Sequence, residues 1–286
     1  MKISYIKAKS ILNKSKIGGV DYTINPYVGC EFACKYCYAS YLSNLVKEDN
    51  DKWGQFVYVK ENAVELLQKE LGKMALNYQT PNIMLSSATD PYQYIEAKEK
   101  MTRRILKTFV DFKFKGQVMC LTKSPMILRD IDLLAELKNL IVGFSICHNN
   151  EKIKKFFEPN TPSITSRFSA LRILNKNGFK TCVFVAPVLP YYENHIGELE
   201  ELFAKIKDSG TNNIVCDLLN MHGNMTRYKD CLKGSSKAQK LYLDRAINEK
   251  YINKMEDIIS KLIQKYGFNR IDRKSEEYFK NKRNKK

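Results

Sequence analysis

Three cysteines stand together near the start of the chain, in Asn25-Pro26-Tyr27-Val28-Gly29-Cys30-Glu31-Phe32-Ala33-Cys34-Lys35-Tyr36-Cys37-Tyr38-Ala39. Their spacing, C-x3-C-x2-C, lets one loop turn three thiolates toward one metal centre, and thiolates suit iron–sulfur clusters or zinc. The number three is informative. A structural zinc site is normally closed by four ligands, and no second C-x2-C or H-x3-H pair occurs in the sequence. A 4Fe–4S cluster held by Cys30, Cys34 and Cys37 leaves one iron open to a small molecule. The alternatives are a zinc ion completed by a distant Cys or His, and thiols unconnected to any metal. Cys120, Cys147, Cys182, Cys216 and Cys231 are single. Eight cysteines in 286 residues are too few for a disulfide scaffold.

The elements that must carry this loop recur along the chain. Six short apolar runs, at 22–28, 83–88, 118–123, 141–147, 182–188 and 214–219, are bounded by turn residues. They read as strands buried on both faces. Helical patterns lie between them at 38–47, 62–76, 98–112, 129–137, 164–176 and 197–207, with Asn177-Gly178 and Ser209-Gly210 as stops. Alternation of this kind implies parallel strands joined by right-handed crossovers. Six units predict an α/β fold, a partial (β/α)6 barrel of the TIM type, with a doubly wound open sheet as the alternative. The cysteine loop then falls at the C-terminal end of the first strand, where barrel sites assemble.

Beyond residue 220 the pattern changes to a polar, basic loop over 221–236, a long helical region over 237–266 and a basic end at 280–286. The expected division is a core at 1–222 and a basic helical extension at 223–286 packed on or beside it.

Lys and Arg number 48 and Asp and Glu 31, a balance of +17, with 44% apolar and 28% charged residues. This is a globular composition, not a disordered or fibrous one. The excess charge favours DNA or RNA as a partner, although most of it is Lys rather than the Arg preferred for bidentate contacts. No run approaches the roughly 18 apolar residues of a membrane span. The basic start, MKISYIKAKSILNKSK, lacks the apolar run of a secretory signal. A soluble, cytoplasmic protein is expected.

The cysteine spacing resembles the radical S-adenosylmethionine (radical SAM) superfamily. Further motifs resemble its spore photoproduct lyase-like branch: the NPYxGC lead-in, Tyr36 before the last cysteine, and Tyr38-Ala39 after it. Ser87-Ala88-Thr89-Asp90-Pro91-Tyr92 follows the second run, and Leu121-Thr122-Lys123-Ser124 with Arg129-Asp130 follows the third. Phe144-Ser145, Phe157-Glu158-Pro159, Arg167 and Val185-Ala186-Pro187 complete the ordered set, which spans about 25–190.

The resemblance implies a 4Fe–4S cluster and S-adenosyl-L-methionine as cofactors. It implies reductive cleavage of the sulfonium to methionine and a 5′-deoxyadenosyl radical, which abstracts hydrogen from an inert C–H bond. A low-potential donor such as flavodoxin or ferredoxin is implied as a partner. By the same resemblance Lys123 pairs with the SAM carboxylate, Thr89 accepts from its amino group, and Ser145 contacts the cofactor. The Ala186 backbone and the rings of Tyr36 and Tyr38 neighbour the adenosine, and Glu158 and Arg167 form a structural ion pair near the site.

Two positions depart from the pattern. Cys147 stands where the family carries a ribose-contacting Asn, on the same side of its strand as Ser145. Ser87 stands where these lyases carry their cysteine hydrogen-atom donor. A serine O–H is a far poorer donor, so repair of the thymine photoproduct by that route is not expected. Cys147 or Cys231 is the candidate replacement. The alternative substrates are a peptide or small metabolite, and the alternative class is a non-enzymatic metal-binding module. His148, His195 and His222 are isolated and read as surface or loop residues.

Overall fold

A computed structural model describes residues 1–76, 79–219, 228 and 248–271. Before the first long helix lie β1 (Lys2–Ile6), β2 (Asn13–Lys14), β3 (Tyr22–Ile24), β4 (Tyr27–Val28) and β5 (Phe56–Lys60). There follow α1 (Ala63–Leu76), β6 (Ile83–Leu85), α2 (Glu96–Glu99), α3 (Met101–Asp111), β7 (Val118–Thr122), α4 (Ile131–Glu136) and β8 (Leu140–Ser145). The rest of the described chain is α5 (Glu151–Phe157), α6 (Ile164–Lys176), β9 (Thr181–Val188), α7 (Ile196–Asp208), β10 (Asn213–Leu218), α8 (Glu249–Tyr266) and β11 (Asn269–Arg270).

The main sheet has eight strands in the order β11-β10-β9-β8-β7-β6-β3-β2. All neighbours from β3 to β11 are parallel, and β2 runs antiparallel to β3. From β3 to β10 the order never reverses. A doubly wound sheet would turn back at a switch point, so the fold is singly wound. The end strands β2 and β11 do not pair with each other. The result is an open, partial TIM-type barrel of six βα units.

Both faces of the sheet are buried, as the continuous apolar runs require. Cys120, Val142, Val183 and Cys216 face the helices in one core. Met84, Met119, Ile141, Cys182, Phe184 and Val215 fill the concave side. Side chains alternate along a strand, so Lys123, Ser145 and Ala186, in step with Met119, Ile141 and Cys182, fall on that concave side at the strands' C-terminal ends.

The first expected strand, 22–28, is two strands in two sheets. Pro26 has no backbone N–H to continue a ladder, and beyond it β4 pairs antiparallel with β5. The three-stranded sheet β1-β5-β4 lies outside the repeating βα pattern, and β1 and β5 had no counterpart in the sequence reading. The expected helix at 38–47 is a 3-10 helix, Tyr38–Val46, ended by Lys47 in the left-handed region at φ 56°. In the described part of the extension, Tyr251, Met255, Ile259 and Leu262 of α8 join the main core, and β11 pairs with β10.

Candidate active site

The cysteine loop begins where β4 stops. Gly29 has φ +94°, and a Cβ there would lie 2.4 Å from the Phe56 carbonyl oxygen. Only glycine lets β4 leave its sheet this close to β5. The loop then makes two successive turns, with Ala33 N–H donating to Cys30 O at 3.2 Å and Cys37 N–H to Cys34 O at 3.1 Å. Cys30 and Cys34 are buried, and Cys37 is half-buried. Burial pushes the Cys30 and Cys34 thiols upward, the Asp90 charge adds to this at Cys30, and at Cys34 Lys123 pulls the opposite way against Glu158. Among the described residues no three His, Cys, Asp or Glu side chains converge to hold one ion.

The SATDPY segment after β6 anchors this loop. Thr89 Oγ1 donates to Gly29 O at 2.7 Å and accepts from Gln93 Nε2 at 3.0 Å. Gln93 Oε1 accepts from Glu31 N–H at 2.8 Å. Gln93 thus clamps both sides of Cys30, a role that nothing in its sequence position signals. Asp90 is fully engaged by Thr122 Oγ1 (2.6 Å), Lys123 N–H (2.7 Å) and Tyr92 N–H (2.9 Å), which ties β6 to the end of β7. Asn25 Oδ1 accepts from Ala88 N–H at 2.9 Å, and the exposed Tyr38 donates its hydroxyl to Ser87 O at 2.5 Å.

The concave side carries a polar cluster against the cysteines. Lys123 Nζ donates to Ser145 Oγ at 2.5 Å and lies 3.9 Å from Glu158 Oε1. Glu158 pairs with Arg167 at 2.6 Å, the ion pair that the sequence led us to expect, and also accepts from the Tyr36 hydroxyl. Arg167 further donates to Ser145 O at 3.1 Å and Thr161 Oγ1 at 2.5 Å. Burial alone would push the Glu158 carboxyl up, but Arg167 and Lys123 hold it well below the usual carboxylate range. Burial likewise works against the Lys123 ammonium, yet the Glu158 carboxylate keeps it charged. The cluster has two cations to one carboxylate.

Cys147 adjoins this group. The strand ends at Ser145 rather than at 147, but the two side chains share a side, with Ser145 Oγ 3.8 Å from Cys147 Sγ. Tyr36 Oη lies 3.7 Å from the same sulfur. Burial raises the Cys147 thiol, so it stays protonated. Ala186 is half-buried against the concave core. Cys120, Cys182 and Cys216 are buried in the cores.

His148 lies in the loop after β8, one of its two expected settings, but the other does not hold. It is not a surface residue but 1% exposed, with its ring between Phe157 (6.0 Å) and Tyr192 (6.4 Å). Among the described residues neither ring nitrogen has a hydrogen-bond partner. Burial lowers its pKa to about 4, although Glu158 pulls it the other way. Cys231 and His222 lie outside the described residues.

Residues 24–206 match the family model of the radical SAM superfamily. The chain belongs to the radical SAM superfamily. It is therefore an enzyme of that superfamily, whose members work with SAM and an iron–sulfur cluster and need a reductant. The chain is 38% identical over 190 residues to an uncharacterized protein of Methanocaldococcus jannaschii, covering 66% of this chain and 69% of that one. It is 28% identical over 236 residues to an uncharacterized protein of Mycobacterium tuberculosis, covering 79% and 67%. In fold it is similar to spore photoproduct lyase complexed with dinucleoside spore photoproduct, at TM-score 0.68 and 16% identity over 92% of this chain and 79% of that one. Streptococcus suis SuiB bound to S-adenosylmethionine is similar at TM-score 0.54 and 11% identity, over 87% and 45%. Within the radical SAM superfamily this fold is the spore photoproduct lyase-like one. No helix among the described residues is long and apolar enough to cross a membrane.

Proposed function

We propose that this radical SAM enzyme cleaves S-adenosylmethionine reductively at a 4Fe–4S cluster held by Cys30, Cys34 and Cys37, and that its hydrogen-yielding substrate is a nucleic acid. The observation that carries the reading is the cationic pair Lys123–Arg167, balanced by one carboxylate, set against Cys34. The donor set fits a cluster in its chemistry: three thiols on one two-turn loop at the spacing C-x3-C-x2-C. When bound, the cluster and SAM supply a one-electron cleavage that yields a 5′-deoxyadenosyl radical.

The protein's part is placement and protection. Lys123 has three N–H donors, of which Ser145 takes one, so it keeps a donor for the SAM carboxylate. Arg167 and Glu158 hold Ser145 and Tyr36 in place around it. Thr89, bridged between Gly29 and Gln93, retains one lone pair for the SAM amino group. The rings of Tyr36 and Tyr38 and the backbone at Ala186 border the adenosine. The buried aromatic surround excludes solvent that would quench a radical. Cys147, a protonated thiol between Tyr36 and Ser145, is the candidate hydrogen-atom donor in place of Ser87.

The substrate class rests on the +17 balance and on the fold shared with a lyase solved with a dinucleoside photoproduct. Anaerobic reconstitution tests the cofactor reading. The expected result is about four irons per chain and release of 5′-deoxyadenosine under dithionite, both lost in a Cys30→Ala/Cys34→Ala/Cys37→Ala variant. One bound zinc and no cleavage would overturn it. Oligonucleotide binding that weakens steeply with salt supports the substrate class, and binding indifferent to salt counts against it.

A further inference from the structure

The outer face of α5 has a composition that the chemistry above does not use. Lys152, Lys155 and Phe156 stand at i, i+3 and i+4, so they share one side of the helix, and all three are exposed. Phe156 keeps 43% of its surface in solvent. Lys35 Nζ sits 3.7 Å from the centre of the Phe156 ring. The one acid in the helix, Glu151, is turned away to cap α6, accepting from Ile164 N–H at 2.5 Å. The face is therefore an aromatic ring within a set of cations.

The opposite side of α5 touches the cysteine site. Phe157 is buried in the same apolar cluster as Cys34 and Cys147. Its carbonyl accepts from Lys35 N–H at 2.8 Å, and Lys35 is the residue after Cys34. One hydrogen bond and two peptide links, Phe156–Phe157 and Cys34–Lys35, thus join the outer face to a cluster ligand.

We infer that this face of α5 is the docking surface of an acidic single-electron carrier protein that reduces the cluster. The inference rests on the cluster reading above. Cys30 and Cys34 are buried, so a carrier gains by seating where a short covalent path leads to one of their thiolates. Redox encounters bury little area and depend on complementary charge for their rate. The exchange is simple: the carrier loses one electron, the cluster gains it, and no proton or leaving group moves at the interface. A nucleic acid would also meet cations here. It is disfavoured because a substrate must reach the concave side, where Lys123 and Ser145 lie, whereas an electron need not.

The test compares two reductants on the holoenzyme, a flavodoxin and dithionite, in wild type and in a Lys152→Glu/Lys155→Glu variant. The expected result is a loss of about tenfold or more in flavodoxin-driven SAM cleavage with dithionite-driven cleavage unchanged. Carbodiimide cross-linking should join Lys152 or Lys155 to flavodoxin carboxylates, and Phe156→Ala should weaken that cross-link. Equal flavodoxin-driven rates in the two proteins, cross-links confined to other lysines, or a variant that loses oligonucleotide binding alone would overturn the assignment. Failure of the wild type to cleave SAM with dithionite would instead strike the cluster reading, while the cross-link still reports on docking.

Discussion

Tyr27 precedes the cysteine loop and Tyr36 lies within it, and each donates its hydroxyl to a fully buried glutamate, Glu96 and Glu158 respectively. The two ionic clusters built on these carboxylates differ in how far they are closed. Glu96 also accepts from Thr102 N–H (2.9 Å), Arg103 N–H (3.3 Å) and Arg129 (2.7 Å). Arg129 and Arg103 spend their remaining donors on Asp130 and Asp132. Every cation there meets an acid. Around Glu158 two cations share one carboxylate, and Lys123 ends on a neutral hydroxyl. The closed cluster joins β4 to the helices after β6. In the open one, among the described residues, Lys123 shares Glu158 with Arg167 and has no carboxylate of its own.

The largest expected effect is on the closed side. Glu96→Gln takes the charge from the carboxylate that Tyr27, Thr102 and half-buried Arg129 share, and although Asp130 still pairs with Arg129 it should cost about 2 kcal/mol of unfolding free energy, read by urea denaturation, while the folded fraction still binds SAM. A stable variant that cannot bind SAM would invert the comparison. On the open side, Lys123→Met should weaken SAM binding by about 10- to 100-fold, the value of a charge-assisted hydrogen bond. Its unfolding free energy should move by less than about 1 kcal/mol, because Glu158 retains Arg167.

His148 sharpens the contrast, as a buried polar group beside the open cluster with no hydrogen-bond partner among the described residues. Its folded pKa is about 4 against a reference of 6.5. Between those values the unfolded chain binds a proton that the folded chain does not. Stability is therefore lost as pH falls through that window, by at most about 1.4 kcal/mol per pH unit. His148→Phe should remove this slope in thermal melts from pH 7 down to pH 4, and an unchanged slope would refute the assignment. The smallest effect belongs to Thr89→Val. Loss of the bond to Gly29 should cost about 1 kcal/mol and speed iron loss from the reconstituted protein, measured with a chelator.

Much of this site was legible because its chemistry is tied to residue types at strand ends. C-x3-C-x2-C stands out by residue type and spacing, whereas Lys123, Ser145 and the Glu158–Arg167 pair were pointed to by the resemblance to the lyase-like branch. What the sequence hid was set by tertiary packing. Phe56–Lys60 becomes a strand by pairing with Lys2–Ile6, far away in the chain, and Pro26 moves β4 into that second sheet. Nothing in an isolated histidine tells that Phe157 and Tyr192 will enclose it. Gln93 looks like any helix-approach residue until Gly29 and Glu31 meet it.

The central claim is that three cysteines hold a cluster with an iron left for SAM beside Lys123. Electron paramagnetic resonance of the reconstituted, dithionite-reduced protein, recorded with and without SAM, addresses it most directly. A reduced-cluster signal that shifts on adding SAM in wild type, and no longer shifts at the same SAM concentration in Lys123→Met, is the predicted result. A signal insensitive to SAM, or no cluster signal with zinc bound instead, would contradict the account.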